Sequence, residues 1–260
     1  MIPASLSLFA YCIALVGAMR GRQRILMAAG AVAVLLHAVA LVGDLFADGV
    51  LTIGVVDALS LVFWQAAVLS LLAWRQLPIT ALTCMVFPLA GLAAIGAAWP
   101  EGMQAGEGIR DNALKLHVGL SVFAAGLFTL AAMQSLLVAL QNRALHGAHD
   151  PPALLRGLPP LQSMESALFG ALWLAWGVLS AALLTGIVFV DDLFDQHLVH
   201  KTLLSVTSWA VFLMLLWGHW RYGWRGRTAL RWTWAGYAVL LLAYFGSKFV
   251  LEELLGQRWG

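Results

Sequence analysis

Apolar runs of about 18 residues or more, nearly free of charge, recur eight times along this chain, and each is long enough to cross a hydrocarbon core of ~30 Å at ~1.5 Å per helical residue. Of 260 residues, 62% are hydrophobic and 11% charged, against a charged share of about a quarter in soluble domains. The expected fold is an all-α integral membrane protein, a bundle of about eight transmembrane helices. They are predicted near residues 4–19, 25–43, 55–73, 79–98, 114–140, 163–190, 200–219 and 229–252. Pro78 and Pro100 bracket the fourth run, Asp111 or Asn112 can cap the fifth, and the pairs Pro151-Pro152 and Pro159-Pro160 keep the longest connection from becoming helix. The first run lacks a preceding positive segment and is followed by Arg20, Arg22 and Arg24, so it reads as a retained helix and not a signal peptide. The chain, residues 1–260, is expected to be one polytopic membrane domain, with residues 1–140 and 141–260 as its only natural subdivision.

Basic residues set the expected orientation. Alternate connections place Arg20, Arg22, Arg24, Arg75, Arg143, Arg156, Arg221, Arg225, Arg227 and Arg231 on one side. Arg110, Lys115, Lys201, Lys248 and Arg258 fall on the other. The side with ten of the fifteen should be cytoplasmic, which puts both termini outward. The acidic residues Asp44, Asp48, Glu101, Glu107, Asp111, Asp191, Asp192 and Asp195 fall on the outward side.

Several function classes are excluded by what these residues can do. A formal charge of +2 gives no basis for nucleic-acid binding, and the cations already have a topological explanation. Cys12 and Cys84 lie inside apolar segments and read as buried thiols. Without Cys-x-x-Cys-His the chain attaches no c-type haem of its own. There is no nucleophile elbow, no His-Glu-x-x-His and no dinucleotide fingerprint, so an enzyme is not expected. A solvated outward segment accounts for Asp191 to Asp195 more simply than a cation site does.

The informative residues are the histidines, because an ionisable side chain inside a bilayer is costly and marks function by default. His37 lies ~9 Å below the outer end of the second helix. His117 begins the fifth helix and His200 the seventh, so all three approach the membrane from its outer side. Neutral imidazole is a good ligand for haem iron, and two imidazoles on different helices can bind one iron from opposite faces. The plainer reading of His117 and His200 is that of interfacial residues with water on one nitrogen. His146, His149 and His197 are expected to be solvated. Among twelve tryptophans, Trp64, Trp173, Trp176 and Trp209 lie deep enough to wall a flat aromatic ligand, although helix packing explains them equally well. The run Trp217 to Arg227, with interleaved arginines, aromatics and glycines, reads as a topology anchor at the lipid phosphates. Tyr237, Tyr244 and Lys248 should share one face of the eighth helix, with the lysine turned inward, snorkelling outward, or paired with Asp44 or Asp57.

Four stretches carry a family resemblance: Leu116-His117-Val118-Gly119-Leu120-Ser121; His200-Lys201-Thr202-Leu203-Leu204-Ser205 with Trp209; Gly223-Trp224-Arg225-Gly226-Arg227; and Tyr244-Phe245-Gly246-Ser247. In this order they resemble the cytochrome c assembly superfamily of CcsA/HemX-like proteins, and in particular its small YpjD-like branch. The resemblance implies a haem-binding or haem-translocating protein of the bacterial cytoplasmic (inner) membrane. Its cofactor would be non-covalent b-type haem, with His117 matching the first external histidine of the family, His37 or His200 expected as the partner ligand, and Trp209 beside them. Its partners would be the bilayer and another membrane or periplasmic protein. This sequence departs from the family pattern in three places. The tryptophan-rich signature before Lys201 is replaced by Asp191 to His200; no external histidine follows Tyr244-Phe245-Gly246; and Trp217 stands where a late intramembrane histidine belongs, with His219 two residues on. The competing expectation is a non-haem accessory or regulatory subunit of a membrane transport complex.

The orientation is directly testable. A topology reporter fused after Gly260 should be active only in the outward compartment, and a cysteine at Gly147 should be labelled only from the cytoplasm. Inverted labelling overturns the assignment.

Overall fold

The computed structural model describes residues 1–45, 51–75, 77–99, 109–145, 158–189 and 196–246. Among these, eight helices follow one another: α1 (Ile2–Met19), α2 (Gln23–Leu45), α3 (Val55–Leu72), α4 (Ile79–Ala97), α5 (Asn112–Leu145), α6 (Leu161–Phe189), α7 (Gln196–Tyr222) and α8 (Gly226–Leu241). The last continues as one π-helical turn, Leu242–Gly246. No strand occurs among the described residues, only an isolated bridge between Leu51 and Ile109. That is the outcome hydrocarbon demands, since a helix satisfies its backbone within its own segment. Helices α1 to α7 are each long and apolar enough to cross a membrane, whereas α8, at 16 residues, is shorter than such a span.

The expected helices are all present, with ends shifted by a few residues. Differences of four or five residues occur at α5, which extends to Leu145, and α7, which begins at Gln196 instead of His200; α8 ends as α-helix at Leu241, and its expected end at residue 252 lies outside the described residues. At 34 residues α5 rises about 50 Å, well beyond the hydrocarbon. Its polar ends are therefore tolerated as helix outside the apolar layer. Asp111 does cap it, accepting from the backbone N–H groups of Ala113 and Leu114 at 3.3 Å each. Asp57 similarly accepts from Gly54 N at 2.9 Å to start α3. Gly21, at φ +66°, makes the reversal between α1 and α2, where a side chain would be strained.

Two groups of helices share α5 as a wall. In one, Tyr11, Leu26, Ala33, Ala66, Val86 and Phe87 pack α1 to α4 together. In the other, Phe128, Leu172, Phe212 and Leu215 join α5 to α8, with the Phe128 and Phe212 rings stacked at 3.9 Å. Gly236 lets α8 approach the Phe212 ring, because a Cβ there would lie 2.9 Å from it. Tyr237 and Tyr244 do share a face and both reach α5: the Tyr237 hydroxyl bonds Thr129 Oγ1 at 2.8 Å, and Tyr244 donates to the Ser121 carbonyl at 2.7 Å. Lys248 lies outside the described residues, as do His146, His149 and Asp191 to Asp195.

His37 is fully buried inside the first group. Its Nδ1 meets the Tyr11 hydroxyl at 3.2 Å and its Nε2 meets Ser60 Oγ at 2.8 Å, so the imidazole ties α1, α2 and α3 together. His37→Ala should destabilise the protein by about 3 kcal/mol, from lost packing and two orphaned hydroxyls. A marked drop in melting temperature in detergent checks this; an unchanged value contradicts it.

Candidate functional site

The N-terminal ends of α5 and α7 and the C-terminal end of α6 meet around His117. A cavity of about 590 Å³ lies between α6 and α7, lined by His117, Trp176, Ser180, Lys201, Thr202 and Trp209 among others. This volume falls within the range of small-molecule and cofactor sites. Leu184 and Ile187 also line it, yet they are 63% and 65% exposed on the helix surface. The cavity therefore opens sideways, toward lipid. A second cavity of about 190 Å³ also touches His117 and Lys201, and is further lined by Ser121, Ser205 and Tyr244. The π-helical turn after α8 carries Tyr244 to this chamber, and such turns are frequent at functional sites.

The chemistry of His117 is set by α6. Its Nδ1 lies 2.9 Å from the Ala182 carbonyl oxygen and 3.2 Å from Thr185 Oγ1. A carbonyl can only accept, so Nδ1 carries the proton. The lone pair then belongs to Nε2, which makes no hydrogen bond among the described residues. Metal-binding histidines commonly have this arrangement, one nitrogen donating to a carbonyl while the other is left basic for the ion.

One wall of the cavity is aromatic. Trp176 and Trp209 stack with centroids 5.3 Å apart and planes 28° apart, and Trp173 meets Trp176 edge-on at 5.8 Å. Trp209 is held by its indole N–H, which donates to Ser180 Oγ at 2.8 Å. The Trp176 indole N–H is buried without an acceptor among the described residues. Such a donor costs free energy unless a ligand or water completes it. Lys201 adds a cation to the lining.

The three histidines named from sequence do not converge. His117 and Trp209 line the same cavity. His37, expected as a partner ligand, sits in the other helix group with both ring nitrogens hydrogen-bonded, so it is not presented to this cavity. His200 is an exposed residue of α7 that falls outside the lining, although Lys201 and Thr202 beside it belong to it. Residues that sequence reasoning missed are Ser180, Ala182, Thr185 and Gly186, all on α6. Each is an ordinary small residue of an apolar helix, and no pattern marks it.

Among the described residues no group of three or more His, Cys, Asp or Glu is placed to hold a bare metal ion. At the opposite membrane face, His219 stacks on Phe169 at 3.4 Å and its Nδ1 donates to the Trp224 carbonyl at 2.8 Å, while Glu165 accepts from Gly226 N at 3.1 Å. These contacts fasten the glycine-rich turn between α7 and α8, where Gly223 and Gly226 have φ of +67° and +56°.

Fold and site together define a multi-pass helical membrane protein with a lipid-facing cavity built around one imidazole and two stacked indoles. The family model described as cytochrome c assembly protein matches residues 25–255, and the chain belongs to that family. The inner membrane protein YpjD of Escherichia coli K12 is 30% identical, with 89% of this chain and 88% of that protein covered. A 28.8 kDa protein of Azospirillum brasilense, described by its position in a nifR3-like 5′ region, is 36% identical over 77% of this chain and 73% of its own length. Protein HemX of Brevibacillus brevis is 27% identical over 53% of this chain and 51% of its own length. No solved structure matches the chain significantly.

The stacked indoles give the site its own test. Ser180→Ala removes the acceptor that orients Trp209 and should change tryptophan fluorescence in the folded protein. An emission spectrum identical to wild type argues against a fixed indole wall.

Proposed function

We propose that this protein binds or translocates non-covalent b-type haem in the bacterial inner membrane, as a non-catalytic component of cytochrome c assembly, with His117 as the residue that would hold its iron. The observation that carries the reading is the hydrogen bond from His117 Nδ1 to the Ala182 carbonyl, which leaves Nε2 as a Lewis base beside an apolar cavity. The rest of the lining fits the same group. The Trp176–Trp209 pair offers a flat face to a macrocycle, and the orphaned Trp176 N–H and Lys201 offer a donor and a cation to carboxylates. When bound, haem supplies the iron; the chain supplies the imidazole, excludes water with its apolar walls and orients the ring. The sideways opening suits a ligand that partitions into lipid. Family membership and the inner-membrane relative support the setting, and a membrane or periplasmic protein is the expected recipient of the cargo.

Purification from haem-replete cells should give a Soret band at near-stoichiometric amount. His117→Ala should remove most of it, whereas His37→Ala, in whatever fraction folds, should keep it, because His37 is already satisfied by Tyr11 and Ser60. His200→Ala should have the smaller effect of the two outer histidines. Acidification through the histidine range should weaken binding, since protons compete with iron for Nε2. A colourless protein that also takes up no added hemin rules out this reading and favours a non-haem accessory or regulatory subunit of a membrane transport complex.

A further inference from the structure

Glycine inside a helix costs about 1 kcal/mol relative to alanine, so α6 carries a penalty at each of its glycines. Three of them, Gly170, Gly177 and Gly186, differ sharply in what a side chain would meet. A Cβ at Gly170 or Gly177 would find nothing within 4 Å. A Cβ at Gly186 would lie 2.9 Å from His117 Cε1 and 3.4 Å from Nδ1, closer than van der Waals contact allows at the first of these. Gly186 also stands one helical turn beyond Ala182, whose carbonyl accepts from that same Nδ1 at 2.9 Å. The ring thus rests on bare backbone at one point and is hydrogen-bonded to backbone at another, both on α6.

We infer that Gly186 and the Ala182 carbonyl form a seat on α6 that holds His117 in its Nδ1–H tautomer and thereby leaves Nε2 for a ligand. Gly186 is a positioning residue: it also lines the cavity, but the nearest atoms a Cβ there would meet all belong to the His117 imidazole, through which it acts. Any side chain at 186 lifts the ring from its seat, lengthens the bond to Ala182, and lets the proton redistribute between the two nitrogens. The consequence for ligand binding rests on the haem reading above; the tautomer does not.

The test separates the two. In apo protein labelled with 15N-histidine, the nitrogen shifts of His117, assigned by comparison with His117→Ala, should report a neutral ring protonated on Nδ1. Gly186→Ala should abolish that signature and weaken hemin affinity about tenfold, within the range seen when an outer-shell partner of a metal-binding histidine is lost. Gly177→Ala makes the same chemical change in the same helix without touching the ring, and should alter neither. If Gly186→Ala behaves like Gly177→Ala in both measurements, the seat is refuted while haem binding stands. If wild-type apo protein shows Nδ1–H but takes up no hemin, haem binding is refuted while the seat stands. Should Gly186→Ala fail to fold, the wild-type spectrum alone decides, because a ring protonated on Nε2 overturns the inference.

Discussion

Helix α5 is buried along most of its membrane length, from Val122 to Gln141, and the rest of the bundle is arranged by that burial. Packing α3 and α4 on one side and α6 and α8 on the other turns it into a wall common to both groups of helices. Small residues make the approach possible: Ala124, Ala125, Ala131 and Ala132 face neighbours closely, and Gly126 leaves room for the side chain of Gln65. In lipid, where apolar surface gains little by leaving one hydrocarbon for another, such close packing and a few hydrogen bonds are what hold helices together. The N-terminal part of this helix carries His117, so the helix buried along most of its length is also the one that aims the imidazole.

The two intramembrane histidines illustrate opposite uses of one side chain. His37 is enclosed by Tyr11 and Ser60, and its two nitrogens are consumed in joining three helices. His117 spends one nitrogen on α6 and keeps the other. A buried imidazole with both nitrogens satisfied is a structural tie; one with a single nitrogen satisfied, beside a cavity, is available to chemistry. The unpartnered indole N–H of Trp176 belongs to a residue lining the same cavity, whereas the other buried unpartnered side-chain atoms among the described residues, on Gln65, Gln134, Gln141 and Thr233, lie on residues outside that lining.

Family membership and site geometry contribute different things. The match over residues 25–255 accounts for the scaffold and for the order of its motifs. Fold alone does not carry function, which resides in the particular groups a scaffold brings together. Here those groups are fewer than the family pattern would supply, since the aromatic wall is built by Trp176 and Trp209 within the helices and a single imidazole lines the cavity among the described residues. The shape, opening sideways between α6 and α7, gives that imidazole access from the bilayer.

Much of this was legible in the amino-acid sequence. Hydropathy dictates the helices because a span must be apolar over its own length, and that property is local. Asp111 as a cap and Tyr237 and Tyr244 on one inward face are local or periodic signals too, and His117 and Trp209, named as candidates from their motifs, line one cavity. What the sequence could not decide was which histidines meet. His37, His117 and His200 all approach the same membrane face, His37 more deeply than the others, and it is the lateral order of helices that places His37 among α1 to α4 and His117 against α6. Nor could it reveal Ala182 and Gly186, because a carbonyl and a missing Cβ leave no mark in a run of small apolar residues. Depth in the membrane is written in each helix by itself; adjacency between helices, and with it the free nitrogen of His117, exists only once they pack.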